Sequence, residues 1–199
     1  MPDPVGAVLA TCDALPSGVD VVLLGGLAAN AYRSEPRVTL DADLLLVLDA
    51  HLGREIELRM LQVGFERPPG RRGYRAGRFE WRRLIWPLPD PIDPTKVDLF
   101  FSGADPQSGG FIRSVAARAV STKLGPRAVK VATPEDVIVF KALAIASGVR
   151  GTKAVTDQDD VLSILGNRKL QLDVEYIRAM ASSLGVLRVV SRYLRKPKK

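Results

Sequence analysis

One cysteine and one histidine in 199 residues exclude much before any motif is read. Cys12 cannot form an internal disulfide, and with His51 as the sole histidine no set of Cys and His residues has the spacing of a structural zinc site. A reducing, cytoplasmic setting is therefore expected. No apolar run approaches the ~18–20 residues that a membrane span needs. Asp3 stands where a secretory leader would carry positive charge. The expectation is an unexported chain with no membrane partner. Internal repeats and low-complexity tracts are also missing.

What is present is ordinary in amount and uneven in placement. A chain that is 46% hydrophobic and 26% charged has the composition of a globular protein, with enough residues for one substantial core or two small ones. The formal net charge is +7 and the isoelectric point about 9.8. Such a balance suits a polyanionic partner and equally suits simple solubility. Arg67, Arg71, Arg72, Arg75, Arg78, Arg82 and Arg83 crowd one Gly/Pro-punctuated stretch, and Arg188, Arg192, Arg195, Lys196, Lys198 and Lys199 load the C-terminus. The planar guanidinium pairs bidentately with phosphate, so Arg71, Arg72, Arg75 and Arg78 are candidate RNA contacts, with a solvated loop as the plainer reading.

The pattern along the chain predicts an α/β fold. A helix is expected over Val5–Leu15, a buried strand in "VDVVLL" ending at Gly25-Gly26, a helix over Leu27–Arg33, and a strand in "DADLLLVL". A helix from about Ala50 to Val63 follows. The breakers between Phe65 and Gly77 mark an exposed loop or loose hairpin. "RFEWRRLIWPL" and "KVDLFF" read as strands, Phe111–Ala119 as a short helix and Ala128–Val131 as a strand. From Thr133 the chain turns helical: Thr at the N-cap, Pro134 at the first position and Glu135 and Asp136 in the first turn make a strong start. Further helices are expected over Asp157–Leu165, Asp173–Ser183 and Leu184–Arg195. The organisation expected is a mixed α/β domain over 1–125 followed by a helical domain over 126–199.

Two aspartates interrupt the apolar strand "DADLLLVL". Residues two apart on a strand share a face, so Asp41 and Asp43 project side by side. Like charges this close resist burial unless a cation lies between them. Mg²⁺ (or Mn²⁺) is the expected remedy, because it takes one or two carboxylates and completes its shell with phosphate oxygens and water. Asp98 in "KVDLFF" also interrupts an apolar strand and is the candidate third acid. Gly25 and Gly26 sit at a strand-to-helix junction where exposed backbone N–H groups favour an anion, a candidate phosphate seat.

The arrangement of Gly25, Gly26, Asp41, Asp43 and Asp98 resembles the nucleotidyltransferase superfamily, and implies its DNA polymerase beta-like core. Within that superfamily, "GGLAANAYRSEPRVTLDADLLLVL" is similar to the AbiEii/MenT-type group of toxin-related nucleotidyltransferases, with Arg37 and Thr39 matching. The likeness extends to "TPEDVIVFKALA" and "RGTKAVTDQDDVLSIL", which map its later motifs onto Glu135, Asp136, Lys141, Arg150 and Asp160. Asp157 and Asp159 compete with Asp160 for that last position.

The resemblance implies a metal-dependent enzyme that moves a nucleoside monophosphate from an NTP to an acceptor hydroxyl. It implies Asp41, Asp43 and Asp98 as metal-binding catalytic acids, and Gly25, Gly26, Arg37, Thr39, Lys141 and Asp160 around the nucleotide. The toxin likeness implies RNA, the 3′ end of a tRNA, as acceptor and a cognate antitoxin as a possible partner. A small-molecule nucleotidyltransferase of the aminoglycoside or lincosamide kind, and a silent nucleotide- or RNA-binding module, are the alternatives. Plainer roles stand beside these: Lys141 as a snorkelling lysine, Glu135 and Asp136 as first-turn acids, His51 as an exposed residue, Trp81 and Trp86 as packing.

Overall fold

A computed structural model describes residues 1–49, 52–70, 73–76, 79–102, 106–148, 151 and 153–195. Helix α1 (Pro4–Ala14) opens where the Asp3 carboxylate accepts from the Gly6 N–H at 2.8 Å and Pro4 takes the first helical position. Strand β1 (Val21–Leu23) leads into α2 (Gly25–Asn30), two residues earlier than the apolar pattern suggests. Strand β2 (Asp41–Asp49), helix α3 (Gly53–Gln62) and strands β3 (Gly73–Ala76), β4 (Phe79–Trp86) and β5 (Thr95–Ser102) follow. Helix α4 (Pro106–Arg118) and strands β6 (Val120–Leu124) and β7 (Arg127–Val131) come before α5 (Pro134–Ala146), α6 (Lys153–Gly166), α7 (Val174–Ser183) and α8 (Leu187–Leu194).

The strands form one mixed sheet in the order β3-β4-β5-β2-β1-β7-β6. Parallel pairs join β2 to β5 and β1 to β7, and the other neighbours are antiparallel. Within the breaker-rich stretch the hairpin alternative holds, β3 forming one arm against β4. One strand lies outside the sequence expectations. β6 is an edge strand whose residues are almost all exposed, so no apolar alternation announces it.

Ala42, Leu44, Leu46, Val97 and Leu99 are fully buried on alternate positions of the central strands. Helix α1 packs against β2, β5 and α3 on this side, and the start of α3 meets Phe101 and Arg82. On the opposite side Phe140 of α5 meets the ring of Phe100 edge-on at 5.0 Å. Helix α5 is buried all round through Val137–Phe140, because it packs against α2, α6, α7 and α8. No helix among the described residues is long and apolar enough to cross a membrane.

The acids that begin α5 do more than favour its dipole. Glu135 accepts from Arg118 and from the Asp173 N–H, and Asp136 accepts from the Tyr176 hydroxyl at 2.6 Å. The Arg118 guanidinium lies 3.8 Å above the Tyr176 ring. Burial pushes the Asp136 carboxyl up, and burial with the Asp136 bond pushes the Tyr176 hydroxyl up to about 12. This polar knot ties α4, α5 and α7 together.

Candidate active site

The register of three strands assembles the acidic face. In the parallel pair β2–β5, Asp41 lies beside Lys96 and Asp43 beside Asp98. Antiparallel β4 sets Arg83 beside Asp98. Paired residues share a face, so Asp41, Asp43, Lys96, Asp98 and Arg83 crowd one side of one end of the sheet.

Each of two carboxylates turns to a cation of the chain itself. Asp98, 4% exposed, accepts from Nε and Nη2 of Arg83, both at 2.7 Å. This is a bidentate fork. The bond to Asp98 pushes the Arg83 guanidinium up against the opposing effect of burial, with Asp41 and Asp43 adding to the rise. Arg83 also lies over the Trp81 ring at 5.1 Å, and Trp81 stacks on Phe100 at 6.2 Å. Trp81 is thus a packing residue that supports Arg83. Asp41 pairs with Lys153 at 2.5 Å, across from β2 to α6. No group of three or more His, Cys, Asp or Glu side chains among the described residues converges as a metal cluster.

The glycines are explained by what sits against them. Gly25 has φ +58°, and a Cβ there would lie 1.7 Å from Oδ2 of Asp43. A Cβ on Gly26 would lie 2.5 Å from Oγ1 of Thr39 and 3.2 Å from Nη2 of Arg37. Both glycines therefore make room for the side chains of the loop before β2 and of β2 itself. Asn30 fixes that loop by exchanging two hydrogen bonds with the backbone of Arg37, at 2.7 and 3.0 Å.

Asp160, fully buried, is the hub behind the loop. It accepts from Nε and Nη2 of Arg37 at 2.7 Å, from Arg33 at 2.8 Å, and pairs with Lys141 at 2.9 Å. Lys141 also donates to Asp157 at 2.6 Å and is itself 4% exposed, so it is a buried residue and not a snorkelling one. Burial alone would push Asp160 up, but Arg37 and Lys141 hold its carboxyl below the usual range. Arg37 in turn is pushed up by its bond to Asp160. Among the three competing acids, Asp160 meets both Arg37 and Lys141, Asp157 meets Lys141, and Asp159 is largely exposed against Arg33.

A cleft of about 470 Å³ lies in front, lined by Gly26, Arg37, Thr39, Asp41, Asp43, Lys96, Lys141, Lys153 and Asp157 among others. Asp98 lies on the same sheet face behind Asp43. Gly25 lies under Asp43, and Asp160 lies behind Arg37 and Lys141.

Sequence reasoning did not single out Arg33, Lys153 or the pairing of Arg83 with Asp98. Lys153, Thr156, Asp157 and Asp160 follow helical spacing, a signal that was present for α6.

The arginine-rich stretch divides differently from its sequence appearance. Arg67 and Arg82 both bind the buried Glu57 of α3, at 2.7 and 2.9 Å, and Arg83 belongs to Asp98. Arg71, Arg72 and Arg78 lie outside the described residues, as do Arg150 and His51. Arg75 is placed on β3 by its backbone.

No protein-family model matches the chain, and no curated protein matches it. Solved structures do. The antibiotic-resistance factor ANT(2″)-Ia in solution is similar over 96% of this chain and 92% of its own, at 14% identity and a TM-score of 0.54. ANT(2″)-Ia crystallised with adenylyl-2″-tobramycin is similar over 95% and 98%, at 15% identity and a TM-score of 0.52. An antigenic nucleotidyltransferase-like protein from Paracoccidioides brasiliensis aligns over 93% and 89%, at 19% identity and a TM-score of 0.47. The α/β sheet and the helical part that follows share the fold of the ANT(2″)-Ia structures.

Proposed function

We propose that the chain is a metal-dependent nucleotidyltransferase that moves a nucleoside monophosphate from an NTP to an acceptor hydroxyl, with RNA, at a tRNA 3′ end, as the acceptor. One observation carries the reading: Asp41 and Asp43 share a strand face, in register with Asp98, at a cleft whose wall supplies Arg37, Lys96, Lys141 and Lys153. Carboxylates at this spacing suit a hard divalent cation, and the ammonium now against Asp41 occupies a place where positive charge is already favoured. Asp41 and Asp43 are the residues that hold Mg²⁺ or Mn²⁺ in this reading. The ion supplies charge neutralisation of the triphosphate.

The chain's own groups do the rest. Lys153 is released from Asp41 to meet phosphate oxygens at the mouth of the cleft, and Lys96 extends the same positive edge. Gly26 lets the loop of Arg37 and Thr39 close against α2, which shapes the floor. Lys141 and Arg37, pinned by Asp157 and Asp160, keep that floor positive and fixed. Asp98, held by Arg83, anchors the acidic face behind Asp43.

The cleft wall carries four acids, Asp41, Asp43, Asp93 and Asp157, beside its four cations, so the choice of RNA rests on the net charge of +7 and on the likeness of residues 25–48 to the toxin-related group. The competing acceptor is an aminoglycoside, the class to which the tobramycin bound by the structural neighbour belongs. Purified protein incubated with Mg²⁺, each NTP labelled at the α-phosphate, and either total tRNA or tobramycin decides between them. Label on tRNA that disappears in Asp41→Asn supports the reading, and label on tobramycin alone replaces the acceptor. No label on either acceptor would sink it. The toxin role has its own readout: induced wild-type chain should arrest growth where Asp41→Asn does not, with a neighbouring antitoxin relieving the arrest.

A further inference from the structure

The third acid of the face is held differently from the first. Asp98 gives both carboxylate oxygens to one guanidinium, each at 2.7 Å, and is 4% exposed. That guanidinium is held on its other side by Trp81 at 5.1 Å, which is itself stacked on Phe100, which meets Phe140 of α5. Arg83 is thus braced from the helical part through three aromatic rings. Asp41 differs in kind. Its partner Lys153 is a single ammonium on a side chain that is 53% exposed, and a flexible, hydrated lysine is displaced more readily than a stacked, forked arginine.

We infer that the site takes one divalent cation, on Asp41 and Asp43, and that Arg83 is a built-in positive charge standing at Asp98 where a second cation would otherwise be needed. The inference rests on the metal-dependent reading of the site. Three physical points support it. A bidentate guanidinium saturates the two oxygens that a metal would have to claim. Removing Arg83 from Asp98 would strand a buried carboxylate beside Asp43, which costs free energy that the incoming ion must offset. Arginine cannot deprotonate under ordinary conditions, so its charge persists whether or not metal is present. Arg83 is then a positioning residue: it holds Asp98 in place and offsets its charge beside Asp43.

Counting ions tests this without relying on turnover. Mn²⁺ is titrated into the full chain with inorganic tripolyphosphate as a base-free probe, and free Mn²⁺ is read by electron paramagnetic resonance. One bound Mn²⁺ per wild-type chain is expected. Asp98→Asn should retain that ion with its affinity changed by less than about threefold, whereas Asp41→Asn should weaken it about tenfold or more, as loss of a direct metal ligand does. Arg83→Gln should admit a second Mn²⁺ that disappears again in Arg83→Gln/Asp98→Asn. Two ions on the wild-type chain, or equal weakening by Asp98→Asn and Asp41→Asn, would overturn the inference and leave metal dependence intact. No Mn²⁺ on the wild type would overturn the reading of the site and this inference with it. The wild-type count and the Asp98→Asn comparison stand even where Arg83→Gln fails to fold.

Discussion

Asp160 shows how much one side chain can organise. Its two oxygens meet Arg33, Arg37 and Lys141 with no exposure to solvent. Replacing one partner of a buried charge network leaves the others uncompensated, so Asp160→Asn should lower stability by about 3–5 kcal/mol in urea denaturation. The same carboxylate gives a pH signature. Its folded-state affinity for protons is lower than the ordinary aspartate value of about 3.9, so the unfolded chain binds the proton first as pH falls. Its contribution to stability is full above about pH 4 and is lost as pH drops through the depressed folded value. Asp136, pushed up by burial, acts with the opposite sign, since its stabilising share belongs to the protonated form and declines as pH rises past the ordinary value. Urea midpoints measured from pH 3 to 7 should therefore show a steeper acid loss in wild type than in Asp160→Asn. Gly25 makes a second prediction at this scale. Gly25→Ala puts a Cβ into the Asp43 carboxylate at a left-handed backbone position that costs roughly 1–2 kcal/mol by itself. It should lose Mn²⁺ affinity even where circular dichroism shows a folded chain.

At the scale of elements, Glu57 on α3 settles two arginines of the basic stretch. It binds Arg67 and Arg82, so these serve to fasten α3 to the β4 side of the sheet. Glu57→Gln should cost about 1–3 kcal/mol and speed amide exchange in β4. It should leave the labelling of RNA unchanged, an outcome the same NTP assay checks. Elements with local signals were legible in the chain alone. β2 announced itself by its apolar run, and the start of α5 by Thr133, Pro134 and two acids. Asp41 and Asp43 were visible as a pair because strand periodicity brings them together. β6 was not legible, because an exposed edge strand carries no burial pattern. Neither was the bond from Arg83 to Asp98, which exists only through the register of β4 on β5. Arg33 and Lys153 were missed for the same reason, since each meets a partner more than a hundred residues away. Local chemistry was readable and long-range pairing was not.

For the whole molecule, the excess of positive charge becomes a measurable slope. If the acceptor is RNA, affinity for tRNA should fall linearly with the logarithm of salt concentration, by about 0.7 per neutralised phosphate for a single strand. Lys96, exposed and lining the cleft, would then be one such contact. Lys96→Ala should flatten the slope by about 0.7 and weaken binding across sequences alike, as filter binding at several salt concentrations would show. An unchanged slope would remove Lys96 from the RNA surface.

The contact of Lys153 with Asp41 has a further meaning, because it spans from the first helix after Ala146 to the strand that opens the acidic face. In the proposed reading the chain would compete with its own cofactor: an ion reaching Asp41 would first displace an internal ammonium, and its observed affinity would be the intrinsic affinity reduced by the strength of that tether. Loading the site would then sever the link between β2 and α6 and free a positive charge at the cleft.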